Sequence, residues 1–113
     1  MVIVDSPVSL ASLSEMAQHG FGDLVKAVVD VNREIMAVDG ELHADEEALL
    51  LEHGSQQHHL WGINIYPDLP DEGFIEFDSV INIRPSQGNR SRGVEDSETR
   101  AAIVRIVAAL IAP

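Results

Sequence analysis

Residues 60–84, LWGINIYPDLPDEGFIEFDSVINIR, contain two runs of alternating apolar side chains separated by an acidic turn. In the first run, Trp61, Ile63 and Ile65 alternate with smaller or polar residues. The second run, residues 74–84, repeats this pattern. Alternation with a period of two is typical of β-strands, and the prolines and glycine of residues 67–73 are typical of a turn. The stretch therefore predicts two consecutive antiparallel strands.

The segments at either end of the chain are simpler to interpret. Residues 2–4 predict a short strand, and Ser9 is placed to cap a helix that runs to about residue 18 and stops at Gly20. Residues 97–111 carry a broad apolar stripe at helical spacing behind the capping residue Asp96, which predicts a final helix.

Two segments fit both helix and strand. Residues 23–38 alternate like a strand at Val25, Ala27 and Val29, yet they also carry apolar residues at helical spacing. Because no turn signal interrupts them, we predict a helix. Residues 41–52 fit either a short helix that begins at the acids 45–47 or two strands joined by a turn, and we predict strands.

These elements predict one α+β domain over residues 1–113. Its antiparallel sheet of four to five strands is expected to pack on three helices in two layers. A parallel sheet would require strands and helices to alternate, and that alternation is missing from the middle of the chain.

Composition excludes several classes of function. The 113 residues carry a net charge of −12, and they include no cysteine, which excludes thiol chemistry, Cys-ligated zinc and iron–sulfur clusters. The acidic surface is expected to repel nucleic acid and anionic membranes. The first residues lack a basic segment and a long apolar run, so no signal peptide or membrane span is expected and a cytoplasmic location is predicted.

Residues 84–92 form the one stretch rich in positive charge. Arg84, Arg90 and Arg92 lie there without an intervening acid, between a predicted strand and a predicted helix N-terminus. Arginines and backbone N–H groups in such a loop suit an anion, although no known phosphate-binding motif is present. The candidate anion-binding residues are Arg84, Ser86, Asn89, Arg90, Ser91 and Arg92. The alternative is that these arginines brace the loop against the acidic sheet.

The predicted strands also carry a polar face. Its members are Asn64, Glu76, Asp78 and Asn82. A solvated sheet face explains them, but Asp78 and Asn82 are poor strand formers, which keeps a functional role open. If residues 41–45 are extended, Glu41, His43 and Asp45 share a face and are weak candidates for binding Ca²⁺ or Mg²⁺. No cofactor is otherwise predicted.

Three segments also resemble a known family. They are residues 40–55 (GELHADEEALLLEHGS), residues 60–68 (LWGINIYPD) and residues 81–96 (INIRPSQGNRSRGVED). They resemble a family of small prokaryotic proteins that share a conserved domain of unknown function, and the similarity runs over most of the chain. The resemblance implies a cytoplasmic prokaryotic protein, and it brings no activity, ligand or catalytic residue.

The sequence therefore favours a small acidic binding module that uses residues 84–92 for an anionic ligand. One alternative is a structural or protein-interaction domain, with homodimerisation among its expected modes. A second alternative is an enzyme or divalent-metal protein that uses the carboxylates of the polar face, and an enzyme is the less favoured of these.

Overall fold

The structure is a computed structural model that describes residues 1–113. Seven short strands and three helices make up the fold. The strands are β1 (Val2–Val4), β2 (Val8–Ser9), β3 (Val25–Asp30), β4 (Ile35–Val38), β5 (Leu60–Ile65), β6 (Ile75–Glu76) and β7 (Ile111–Ala112). The helices are α1 (Leu10–His19), α2 (His43–Glu52) and α3 (Ser97–Leu110). None of these helices combines the length and the apolar character needed to cross a membrane.

Five strands form one antiparallel sheet in the order β1-β4-β3-β5-β6, while β2 and β7 form a separate parallel pair. The central strands β3 and β5 pair over six residues each, whereas β6 pairs with β5 at only two positions. The predicted α+β class, the antiparallel sheet and the number of helices are confirmed, although one of the three helices lies in a different segment from the one predicted.

Helices cover both faces of the sheet. On one face, α1 and α3 enclose the main core, to which Ala27, Val29 and Ile63 contribute. On the other face, α2 packs through Leu50 on a smaller cluster that includes Val28. The arrangement thus differs from the predicted two layers, because α2 supplies a third layer.

Both predicted helix caps are present. Ser9 accepts a hydrogen bond from the backbone N–H of Ser12 at 3.0 Å, and α1 ends at Gly20 as expected. Asp96 accepts one from the N–H of Thr99 at 2.9 Å, and α3 follows it. These bonds satisfy backbone donors that have no partner within the helix.

The predicted helix over residues 23–38 is wrong, because this segment is the β3–β4 hairpin. Its turn is made by the buried Asp30, whose carboxylate accepts hydrogen bonds from the N–H groups of Asn32 and Arg33, each at 2.9 Å. Glu34 completes the turn with a φ of 58°. Because β3 is apolar on both faces, its valines also match helical spacing.

The predicted strands over residues 41–52 are also wrong, because these residues form α2. Asp45 and Glu46 lie in the first turn, where acids interact favourably with the helix dipole. His43, Glu46 and Leu50 follow one another at helical spacing and are buried beneath α2. Two of the three are polar, so the buried side of this helix lacks the apolar stripe that identifies a helix in a sequence.

The strand predicted over residues 74–84 is only partly correct. Its regular part is limited to β6, and Val80–Asn82 forms a 3-10 turn instead of a strand. The hydroxyl of Ser79 accepts a hydrogen bond from the N–H of Ile81 at 3.3 Å, which favours this turn. The poor strand formers in this stretch therefore mark the end of regular pairing.

Candidate functional site

Arg84 is half-buried, and its guanidinium is occupied by contacts within the protein. Its guanidinium lies over the ring of Trp61, with 4.2 Å between the guanidinium carbon and the ring centroid. Nη1 donates to the carbonyl oxygen of Gln57 at 2.5 Å, and Nη2 donates to that of Leu60. Burial lowers the pKa of Arg84, although the group remains a cation. This arginine joins its loop to the start of β5.

The other two arginines of the loop point in different directions. Nε of Arg92 donates to Oδ1 of Asp78 at 2.6 Å, and this bond lowers the pKa of Asp78. The side chain of Arg90 is exposed and belongs to none of the three ion pairs. The three arginines predicted to bind one anion therefore do not converge.

Two buried asparagines shape the same loop. Asn89 donates from Nδ2 to the carbonyl oxygens of Asn82 and Gly93, at 2.7 and 2.8 Å, and accepts from the N–H of Glu95 at 2.8 Å. Asn82 holds both backbone polar groups of Gly62. Both asparagines thus bind the backbone of their own chain, which accounts for their burial.

The two serines of the predicted anion site are exposed. Ser86 lies in the 3-10 turn Pro85–Gln87, and the Ser91 hydroxyl accepts a hydrogen bond from the N–H of Gly93 at 3.2 Å.

The predicted polar face is partly assembled. Nδ2 of Asn64 donates to Oε1 of Glu76 at 2.8 Å, and the hydroxyl of Tyr66 donates to the same oxygen at 3.1 Å. Asp78 follows this group through its backbone oxygen, 3.5 Å from Nδ2 of Asn64. Asn82 lies apart from it. Oδ1 of Asn64 is buried without a partner.

The three weak metal candidates are separated by the helical geometry of α2. His43 is buried, and its Nε2 lies 2.7 Å from the carbonyl oxygen of Ile63. A carbonyl accepts, so Nε2 carries the proton, and burial lowers the pKa of His43 and favours the neutral ring. Glu41 and Asp45 are exposed. No three His, Asp or Glu side chains in the structure are grouped so that they could hold a metal ion.

Helix α2 carries a buried acid, Glu46, in addition to the buried Asp30 of β3. The side chain of Glu46 is fully buried, Oε2 accepts from the N–H of Gly40 at 2.9 Å, and Oε1 has no partner. Burial raises the pKa of Glu46 to about 9, so this carboxyl group is protonated at neutral pH. It lies inside the protein and lines none of the cavities described below.

A groove of about 890 Å³ lies between the β6 segment and α3. We call it the β6–α3 groove. Its apolar lining consists of Phe74, Ile75, Phe77, Val104, Val107, Ala108 and Ile111. Its charged lining consists of Asp71, Glu72 and Arg100. The next cavity, of about 490 Å³, lies at the far end of the sheet and has more polar walls.

Arg100 is the one basic residue of the β6–α3 groove. Its guanidinium carbon lies 5.0 Å from the centroid of the Phe77 ring. None of the three ion pairs of the protein includes Arg100, and no carboxylate accepts a hydrogen bond from it. A flat guanidinium fixed against an aromatic ring can present its N–H groups to a carboxylate as a fork.

The loop of residues 84–96 positions one wall of this groove. The N–H of Ser79 donates to the carbonyl oxygen of Arg92 at 2.9 Å, and the Arg92 side chain bonds Asp78. Both bonds fix the segment that directly follows Phe77. Arg92, one of the residues predicted from the sequence, thus stabilises the wall of the groove next to Phe77.

Sequence reasoning missed the groove itself. Arg100 was not among the predicted site residues, and residues 74–84 were predicted to form a regular strand. One signal was available in the sequence, namely the broad apolar stripe of residues 97–111, and the structure leaves Val104 of this stripe 47% exposed. An apolar stripe broader than its core contact indicates a face that something else covers.

The fold and the groove define a small three-layer α+β domain with one ligand-sized apolar groove. Residues 2–110 match the family described as "Protein of unknown function (DUF5674)", and the chain belongs to this family. The resemblance inferred from the sequence is thereby confirmed. No curated protein matches the chain, and no solved structure matches it.

Proposed function

We propose that this protein is a binding module for a small anionic ligand with an apolar body, held in the β6–α3 groove with its carboxylate at Arg100. The ligand class agrees with the expectation from the sequence. The cation differs, because Arg100 takes the place that the sequence had suggested for Arg84, Arg90 and Arg92.

The observation that carries the proposal is the state of Arg100. Of the 7 basic side chains, Arg92 and Arg105 form ion pairs with an acid, and the others are cations without an acidic partner. Arg100 is such a cation, and it stacks on Phe77 at a groove whose remaining lining is mostly apolar. A carboxylate there would gain two parallel N–H···O bonds.

The dimensions and chemistry of the groove support the same ligand class. Sites for small molecules usually enclose about 300–1,000 Å³, are lined mostly by apolar side chains and contain few polar groups. The volume of about 890 Å³ and the seven apolar side chains fit that description. Covering the exposed part of Val104 would also remove apolar surface from water, which favours binding.

The alternative of an interaction domain with an internal brace has one observation in its favour. Arg84 and Arg92 are both bonded to their own chain. The brace and the groove are compatible, because the brace positions the segment next to Phe77. For that reason we keep ligand binding as the function and the brace as its support.

Calorimetric titration with octanoate and phenylpropionate tests the proposal. We expect both to bind the wild-type protein, and we expect Arg100→Gln to weaken binding by about tenfold or more, since a charge-assisted hydrogen bond contributes about 1.5–3 kcal/mol. Arg105→Gln is the matched control, because Arg105 lies on the same helix but pairs with Glu34 and is absent from the groove.

The control variant should bind like the wild type. If the wild-type protein binds neither carboxylate at millimolar concentration, or if Arg100→Gln and Arg105→Gln weaken binding equally, the proposed site is wrong.

A further inference from the structure

We infer that the ligand of the β6–α3 groove is an elongated zwitterion, with a carboxylate at Arg100 and an amino group at Asp71 and Glu72, on either side of an apolar body. This inference rests on the proposed function and adds the second charged group of the ligand. The three charged residues that line the groove support this inference, together with the order of the lining residues along the chain on each wall.

The helical wall gives the groove its length. It extends along α3 from Arg100 past Val104 to Ala108, a rise of about 12 Å at 1.5 Å per residue. Ile111 continues the lining beyond the helix. An apolar strip of that length accommodates an extended chain better than a compact ring.

On the opposite wall, the two acids precede Phe77 by five and six residues along the chain. Phe77 lies against Arg100, which fixes one end of this wall. The chain before Phe77 runs back through Ile75 in β6 to Phe74 and then to the turn that holds Asp71 and Glu72. Phe74 and Ile75 thus lie between the acids and Phe77 along this wall, and no ion pair joins either acid to Arg100.

The acidic end is held in place by its backbone. The residues Asp71–Gly73 form a 3-10 turn in which Phe74 donates its N–H to the carbonyl oxygen of Asp71 at 3.1 Å. Asp71 has a φ of 52°, a left-handed conformation that aspartate adopts more readily than most residues. Neither carboxylate belongs to an ion pair in the structure, so both are available to an ammonium group.

Charge complementarity sets the class of ligand. A simple fatty-acid-like anion would satisfy Arg100 but would leave two carboxylates facing its apolar end. An amine alone would satisfy the acids but place an apolar end against a guanidinium. A molecule with both groups at opposite ends matches the groove along its whole length.

The test compares three probes that share one alkyl chain: ω-aminooctanoate, octanoate and octylamine. We expect ω-aminooctanoate to bind the wild-type protein about two- to fivefold more tightly than octanoate, the gain of one solvent-exposed ion pair. The Asp71→Asn/Glu72→Gln variant should lose this gain and still bind octanoate. Asparagine tolerates the left-handed backbone at position 71, so the turn should survive.

Asp68→Asn is the matched control, because Asp68 is an exposed acid near the same turn that does not line the groove. It should keep the preference for ω-aminooctanoate. Equal affinities of wild-type protein for octanoate and ω-aminooctanoate would overturn the inference while leaving the proposed function standing. Absence of octanoate binding would instead overturn the proposed function.

A fourth probe, trileucine with free ends, separates the two sources of this chemistry. Tighter binding by trileucine assigns the groove to short apolar peptides, and tighter binding by ω-aminooctanoate assigns it to alkyl amino acids. Loss of trileucine affinity after blocking its amino group should equal the loss caused by Asp71→Asn/Glu72→Gln. A blocked peptide that binds as well as the free one would contradict a role for the acids.

Discussion

The side chain of Asn82 pairs with Gly62 as a neighbouring strand would. Its Oδ1 accepts from the N–H of Gly62 at 2.8 Å, and its Nδ2 donates to the carbonyl oxygen of Gly62 at 2.9 Å. Strand β6 pairs with β5 only at Asn64 and Ile65, so it does not reach Gly62. One carboxamide thus satisfies a buried sheet edge that no strand covers.

Gly62 must be a glycine because the turn that carries Asn82 lies so close to it. A Cβ atom at position 62 would lie 2.6 Å from both Cβ and Oγ of Ser79. A side chain at this position would push away the turn that carries Asn82. The fold of residues 79–92 therefore depends on a close approach between this turn and the backbone of β5.

The first prediction concerns Asn82. We expect Asn82→Ala to lower the free energy of unfolding by about 2–4 kcal/mol, because two buried backbone groups lose their partners at about 1–3 kcal/mol each. Urea denaturation measures the change. Asn32→Ala in the exposed β3–β4 turn is the control and should cost much less. Equal losses in the two variants would contradict the pairing role of Asn82.

The second prediction separates the arginines of the loop. Arg84→Lys should lower the free energy of unfolding by about 1–3 kcal/mol, because an ammonium group cannot bond two carbonyls as a fork and also stack on Trp61. Arg90→Lys, at an exposed position, should leave the denaturation midpoint unchanged. If both variants behave like the wild type, Arg84 is not a brace.

The third prediction concerns the ion pair between Arg92 and Asp78. The hydrogen bond from Arg92 lowers the pKa of Asp78 in the folded protein. Ionised Asp78 therefore stabilises the fold at pH values above its ordinary pKa, and this stabilisation is lost as the pH falls through the lowered pKa. In Arg92→Gln the pKa of Asp78, followed by carboxyl NMR shifts, should rise. Arg90→Gln should leave it in place, and an equal change in both variants would point to a general charge effect.

The fourth prediction uses the buried acid Glu46. Its pKa of about 9 in the folded protein lies above the ordinary value of 4.5, so between these pH values the folded state holds a proton that the unfolded state releases. The free energy of unfolding should therefore fall as pH rises through this window, by up to about 1.4 kcal/mol per pH unit from this group.

Chemical denaturation of Glu46→Gln at several pH values checks the sign. This variant should lose most of the fall between pH 5 and 9, since glutamine stays neutral in both states. Glu52→Gln, at the exposed end of the same helix, should keep it. A variant of Glu46 with the wild-type slope would show that the carboxyl group is ionised when folded.

Parts of this structure follow from local patterns and parts do not. The helix caps at Ser9 and Asp96 and the strand at Trp61, Ile63 and Ile65 are local, and all were predicted. The hairpin of residues 23–38 was predicted wrongly as a helix, because a strand that is apolar on both faces also satisfies helical spacing. The pairing of β3 with β4 and β5 and the side-chain bonds of Asp30, which form only in the folded protein, decide between the two.

The candidate site shows the same limit. The charge of residues 84–92 is visible in the sequence, but the destination of each guanidinium depends on partners far along the chain, such as Leu60 for Arg84. The β6–α3 groove combines Phe77 with Arg100, which lie on different elements. Their proximity depends on how α3 crosses the sheet, and no spacing within the sequence encodes it.

The central claim, that a carboxylate occupies the β6–α3 groove at Arg100, is tested most directly by amide NMR shifts of the labelled protein during a titration with octanoate. We predict saturable shifts at Phe77, Arg100, Val104 and Ala108, which Arg100→Gln weakens about tenfold or more and Arg105→Gln leaves unchanged. Saturable shifts confined to the loop at Arg90, or shifts that do not saturate anywhere, would contradict the claim.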